Sequence, residues 1–511
     1  MQRRSVTMPL AAACLLAACA SPPVDLAPPA PDRPWRPPVD ADGNIRSART
    51  ASDAGGVAAS HVLPSNPALG VLPPALPTID ADHAYTLPEL IDIAQSNSPQ
   101  TRAAWASARA AASAVGIARA AYLPHLSASA ISGYQRFNGQ NSTLGIGVDN
   151  NVSGSGAVAA LALQWLLFDF GERDAVVEAT EQLSSASNIA FTFAHQRVIH
   201  EVTLAFYAHA AARTHVDNAE KALANAREIE AAAQERYQRG VGTVLDVAQT
   251  HQASAQAQLA RVQAQGAVQS SYVALIAAMG ISPLTRLKVA DVSGRKLSAS
   301  MAQPVEKIVS EALARRPDML AAYAAQKASL AKAAAAEAAF KPKVFASAVG
   351  TYGTGRLGVT ALPSFDQQSI TNNVTSRGAG GSVLFGVAVP LYDGGLRSAT
   401  VEQARADVDR AAATLDKARS DAVLQIVQAQ DALETSLAAY EAASALEAAA
   451  RITFDARLDA YRHGVGTVTE AAFADTQWLL ARNAAADAYS QALSSAATLA
   501  FATGSLGAAP P

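Results

Sequence analysis

The second half of this 511-residue chain repeats the first at a nearly fixed offset. Gly240-Val241-Gly242-Thr243-Val244 returns unchanged as Gly464-Val465-Gly466-Thr467-Val468, 224 positions later. Tyr237 returns as Tyr461, Gly280 as Gly504, and Leu167-Phe168-Asp169-Phe170-Gly171 is answered by Leu391-Tyr392-Asp393-Gly394-Gly395 at the same spacing. Upstream the offset is 218, from Pro99 to Pro317 and from Tyr122-Leu123-Pro124 to Phe340-Lys341-Pro342. Six extra residues therefore lie in the middle of the second repeat. A duplication this long means two copies of one large unit and excludes a small-repeat solenoid. Function belongs to what the two units build together.

The chain opens as a processing signal. Arg3 and Arg4 precede a short apolar run, Met8 to Ala18, too short to span a bilayer. It ends in Leu16-Ala17-Ala18-Cys19, which resembles a bacterial lipobox. The resemblance implies removal of residues 1–18, a covalent N-terminal lipid on Cys19 and, with Ala20 rather than Asp next, delivery to the outer membrane. An ordinary secretory signal is the alternative reading. The only other cysteine is Cys14, inside the removed segment, so no thiol remains for a disulfide or a nucleophile. Residues 20–80, dense in Pro and then in Gly, Ser, Ala and Asp, read as an extended tether with no core.

Two structural repeats follow, 81–295 and 296–507. From Glu172 to Ser282 there is no proline, and the first glycine in that run is Gly240. That predicts a helix over 172–239, roughly 100 Å long, and a return helix over 243–279. Repeat two predicts a helix over 396–463 and a return over 467–503. Leu415, Ala418, Ala422, Ile426, Ala429, Leu433, Leu437 and Tyr440 mark a packing stripe. Its mean spacing, about 3.6, suits a nearly straight helix more than a heptad supercoil. Alanine lets neighbouring helices approach closely, which by itself also fits a soluble coiled coil.

Extended segments separate the two fold classes. Strands are predicted at about 122–135 and 157–169 around a loop of roughly 136–156, and at about 342–353 and 381–392 around a loop of roughly 354–380. Val383, Phe385, Val387, Val389 and Leu391 share one face of the last strand, opposite a mostly small face. Ten-residue strands with one apolar face fit membrane-barrel strands. No run of about 20 apolar residues reads as a membrane helix, so any crossing must be a closed barrel. Four strands per chain are too few to close one, whereas three chains supply twelve.

With its lipobox, its duplicated order of helix, strand, strand and long helix, its Asp169 and Asp393 turns and its Tyr-x-x-Gly motifs, the chain resembles the TolC-like outer-membrane efflux channels. The lipidated branch that includes OprM and NodT is the nearest pattern. The resemblance covers about residues 80–507. It implies a mainly α fold with membrane β: a homotrimeric twelve-stranded β-barrel in the outer membrane, continued by a long α-helical periplasmic barrel. A periplasmic adaptor (a membrane fusion protein) and an inner-membrane pump are the implied partners. Residues 86–95, 281–305 and the C-terminal tail then form an equatorial girdle.

The resemblance also assigns sites. The hairpin tips, Gly240, Val241 and Gly242 with Gly464, Val465 and Gly466, fall where relatives meet the adaptor; as sequence, these are also simply the glycines that a tight helical turn needs. Tyr461 and Glu470 match a tyrosine and a first acidic position that close the periplasmic aperture. The second acidic position falls on Phe473, a departure that makes the gate partly apolar. Asp246 is the first-repeat counterpart of Glu470. Three symmetry-related carboxylates near one axis repel unless protonated or paired with a cation; the plain alternative is that both acids simply start helices.

A net charge of −3 points to no nucleic-acid partner. Histidines 195, 200, 209 and 215 lack i, i+4 metal-ligand spacing, and no nucleophile or phosphate loop stands out. The expected function is a passive exit duct for small molecules in a tripartite efflux system, with no catalytic residue, metal or other cofactor. Export of polypeptides by a type I system uses the same fold. A lipid-anchored periplasmic coiled-coil adaptor or spacer is the alternative from another class.

Overall fold

The computed structural model describes residues 66–70, 79–80, 82–143, 146–292, 297, 305–355, 357–359, 372–374 and 377–506. The signal 1–18, Cys19 and most of the tether lie outside the described residues. The chain divides into two compact units, Met1–Pro77 and Thr78–Pro511. In the first, Pro67–Leu69 makes one 3-10 turn capped by Asn66.

The second unit contains both repeats. Strand β1 (Ala84–Tyr85) leads into α1 (Leu87–Asn97) and α2 (Pro99–Ala120), followed by β2 (His125–Thr143) and β3 (Ile146–Phe168). Next come α3 (Glu172–Gln238), α4 (Val244–Ala278) and β4 (Lys288–Val289), which pairs in parallel with β1. Repeat two gives α5 (Val305–Leu313), α6 (Pro317–Ala338), β5 (Lys343–Gly355), β6 (Leu357–Val359), β7 (Asn372–Val374), β8 (Gly378–Ala388), α7 (Leu396–Arg462) and α8 (Val468–Ala502).

The matching helices are equal in length: α3 and α7 have 67 residues each, α4 and α8 have 35 each. With no glycine or proline inside α3 or α7, nothing breaks their hydrogen-bond ladders. The stripe of α7 is where the alanine-rich pattern put it: Ala422, Ile426, Ala429, Leu433 and Leu437 are buried.

The strands differ from expectation. In place of a loop over 136–156, β2 and β3 stay in register from His125↔Gln164 to Thr143↔Ile146. Pairing of backbone amides needs no apolar side chain, so Gly, Asn and Ser carry the hairpin past its apolar stretch. Part of the second expected loop is likewise paired, Leu357 with Val374. The strand expected to end at 392 stops at Ala388, just before Pro390, which cannot donate to a ladder.

The main sheet has the order β2-β3-β5-β8, all antiparallel, leaving β2 and β8 as open edges. Its two faces contrast rung by rung. Leu126, Leu163, Ala348 and Val383 align on one face, next to Trp165, Ala346 and Phe385. On the other, Ser127, Ala162, Val349 and Ser382 align, followed by Ser129, Ala160, Thr351 and Gly380. Along these rungs the bulky apolar groups sit on one side, and mostly small and hydroxyl-bearing groups on the other. Among the described residues, no helix is long and apolar enough to cross a membrane.

Each passage from sheet to long helix is held by an arginine clasp. Arg173 Nε donates to Asp169 Oδ2 at 3.0 Å, and Nη1 donates to the carbonyls of Leu166 (2.6 Å) and Ala121 (3.2 Å). Its guanidinium lies over the Tyr122 ring at 4.9 Å. Repeat two has Arg397 Nε donating to Asp393 Oδ2 at 2.6 Å, with the guanidinium 5.3 Å from the Phe340 ring centre. Both aspartates also accept the amide of their arginine, which satisfies a free donor in the first turn of the helix.

Candidate functional site

The tips of the two long hairpins are built alike, bond for bond. Gly240 (φ 78°) and Gly464 (φ 80°) take the left-handed conformation that ends α3 and α7. The amides of Val241 and Gly242 then donate to Arg236 O at 3.0 and 3.1 Å, and those of Val465 and Gly466 to Ala460 O at 3.0 and 3.1 Å. Gly242 is required for space: a Cβ there would lie 2.9 Å from Tyr237 N, and one on Gly466 would lie 3.1 Å from Tyr461 N. These two glycines are therefore fully accounted for by the turn, whereas Val241 and Val465 project outward, exposed.

The acids of the tips start helices. Thr243 and Asp246 form a capping box at α4, as do Thr467 and Glu470 at α8. Glu470 also pairs with Arg457 at 3.3 Å, across the second hairpin. Tyr461 is only 5% exposed, packed with Ile229, Phe454, Val468, Ala471 and Ala474. The Arg236 guanidinium lies 5.5 Å from its ring centre, and burial pushes its hydroxyl pKa up. Tyr461 thus joins the second hairpin to the first. Phe473, by contrast, is 65% exposed. Of the four residues that the family resemblance assigns to an aperture, then, the structure gives Tyr461 a place in the core, Asp246 and Glu470 a capping role, and leaves Phe473 free on the surface.

Above the tips, α3 and α8 meet along a polar seam that the sequence reading missed. Asn225 Nδ2 donates to Asp475 Oδ1 at 2.7 Å, and Asn218 Nδ2 to Asn483 Oδ1 at 2.9 Å. Ser490 Oγ donates to Tyr207 O at 2.8 Å. Nearer the tip, Arg462 of α7 pairs with Glu228 of α3, and Thr469 Oγ1 of α8 donates to Gln249 Oε1 of α4 at 2.9 Å. Asp475 is buried, and burial raises its pKa to about 6 against the pull of Asn225 and Arg482. A readable signal did exist: Asp475 stands beside the buried face marked by Val468, Ala471, Ala474 and Ala481, where an acid needs a partner.

Two hairpins on one open sheet with opposed apolar and hydroxyl faces match a known plan. The family model described as outer membrane efflux protein matches residues 90–281 and 308–505. The chain belongs to the outer membrane efflux protein family. Among relatives of this family, Protein CyaE of Bordetella pertussis is 32% identical over 446 residues, 84% of this chain and 88% of that protein. Outer membrane protein OprJ of Pseudomonas aeruginosa is 27% identical over 350 residues, covering 68% and 69%. The crystal structure of the Campylobacter jejuni CmeC outer membrane channel shares the fold, with a TM-score of 0.69 over 82% of this chain and 85% of that one, at 19% identity. The outer membrane efflux fold accounts for both repeats, and the two matched segments fall one on each.

Proposed function

We propose that this outer membrane efflux protein is a passive homotrimeric exit duct for small molecules, anchored in the outer membrane and by a lipid on Cys19. The observation that carries this reading is the four-stranded sheet with two open edges and one bulky apolar face. Unpaired strand edges cannot be left in a bilayer, and three copies joined edge to edge supply a closed twelve-stranded barrel. Its lumen is then the face of Ser127, Ser129, Thr351 and Ser382, which presents hydroxyl groups to passing molecules along these rungs.

The long hairpins carry the duct into the periplasm. Their tips, with Val241 and Val465 outermost, receive a periplasmic adaptor that connects to an inner-membrane pump. Asp246, Glu470, Tyr461 and Phe473 border the closed end: Tyr461 by fixing one hairpin to the other, Phe473 as an apolar group that the single chain leaves uncovered. Reconstitution in a planar bilayer with native mass measurement tests this. A three-chain mass with small single-channel steps is expected; a one-chain mass without steps overturns it. Restored resistance to small toxic compounds in a strain lacking its own channel supports small-molecule efflux, and restored secretion of a polypeptide without resistance supports polypeptide export.

A further inference from the structure

The duplication gives a rule for what lies beyond the edge of one chain. Within the chain, the first hairpin meets the second along the seam of α3 and α8. In a ring of three copies the second hairpin meets the first hairpin of the next copy, and the equal helices and matching turns make that contact the image of the internal one, with residue numbers shifted by 224. This step rests on the trimeric reading above.

Each internal tie near the tips then has an image between copies. The bond of Thr469 to Gln249 maps onto Leu245 and Phe473. The ion pair of Arg462 with Glu228 maps onto Gln238 and Ile452. The stacking of Arg236 on Tyr461 maps onto Ala460 and Tyr237, and the bond of Asn225 to Asp475 onto Ala449 and His251. Every polar tie has lost at least one polar partner. The large side chains at the image positions stand uncovered in the single chain: Leu245 and Phe473 are each 65% exposed, Ile452 70% and Tyr237 43%, although Tyr461, the internal equivalent of Tyr237, is buried.

We infer that a second copy of this chain docks on the tip of the second hairpin by packing its Leu245 against Phe473, so that an apolar pair between copies stands where the bond of Thr469 to Gln249 stands within a chain. Two exposed apolar groups at mapped partner positions bury each other without needing the directional bonds of the internal seam. The replacement of an acid by Phe473 is accounted for by the same contact: Leu245 offers it no donor.

The test uses the full-length protein in membranes, with Leu245→Cys and Phe473→Cys combined and a short bismaleimide added before denaturing electrophoresis. The expected result is a shift from one-chain to three-chain mass. The unsubstituted protein, either single variant, and Gln249→Cys with Thr469→Cys, whose thiols lie within one chain, remain at one-chain mass. A native trimer whose Leu245→Cys/Phe473→Cys form stays at one-chain mass overturns the pairing and leaves the trimer standing. A single variant that reaches multi-chain mass alone also overturns the pairing. A native monomer removes the trimeric reading, and the pairing with it.

Discussion

Replacing Asp475 by Asn isolates one buried charge in the seam between the hairpins. Burial raises the Asp475 pKa to about 6, above the roughly 3.9 of a solvated aspartate. The sign follows from proton binding. Below about pH 4 the carboxyl is protonated whether the seam is closed or open, so it opposes closure least. Between about pH 4 and 6 only the opened form loses its proton, and closure weakens as pH rises. Above about pH 6 the full difference remains, some two pKa units or about 3 kcal/mol as an upper estimate, roughly a hundredfold in the opening equilibrium. Asn removes that charge, and the Asn218–Asn483 pair at 2.9 Å shows that this seam accepts two carboxamides. Amide hydrogen exchange over 468–485 is the assay, taken as the ratio of variant to unsubstituted protein at each pH, which cancels intrinsic exchange. The variant is expected to be protected only about fivefold better at pH 4.5 and up to about a hundredfold better at pH 8. A ratio that does not change with pH, or a variant less protected at pH 8, refutes the reasoning.

Three further outcomes are expected. Gly242→Ala should loosen the first tip by about 1–3 kcal/mol, since its Cβ meets backbone, while Gly240→Ala, with nothing within 4 Å but a left-handed φ, should cost about 1 kcal/mol; limited proteolysis at the tip ranks the two. Val241→Asp with Val465→Asp should abolish resistance to toxic small molecules and leave the native mass unchanged, and retained resistance counts against adaptor contact there. Arg173→Ala leaves Asp169 buried without its cation and should lower stability by about 3–5 kcal/mol, read as a lower thermal unfolding midpoint; Arg173→Lys, lacking the planar fork, should restore only part of it.

The helices were legible because their rules are local. Absence of Gly and Pro from 172 to 239, and Thr243 and Thr467 three residues before an acid, place helix ends within a residue or two. The strands were harder, because residues 136–156 carry no apolar alternation and only backbone pairing extends them. Site residues divide along the same line. The turn glycines follow from the chain's own geometry, but the burial of Tyr461 depends on Ile229 and Arg236, more than 220 positions away, and its duplicate Tyr237 remains exposed. Identical local sequence therefore does not fix burial when each copy faces a different neighbour. The arginine clasps were in reach: Asp169 with Arg173 and Asp393 with Arg397 recur at the 224 offset.

The equality of the helices, 67 with 67 and 35 with 35, limits how a chain of this kind can change length. Deleting one residue from α3 alone would raise its tip by about 1.5 Å and turn everything beyond the deletion by roughly 100° relative to α7. Every contact below that point would then be misfaced. Loss or gain of helical residues is tolerable only when both repeats change together, or in multiples that restore the facing. The strand hairpins escape this constraint, and the six-residue difference between the repeats falls there. Length drift among such chains should therefore be concentrated at the barrel end, while the helices keep a common ruler.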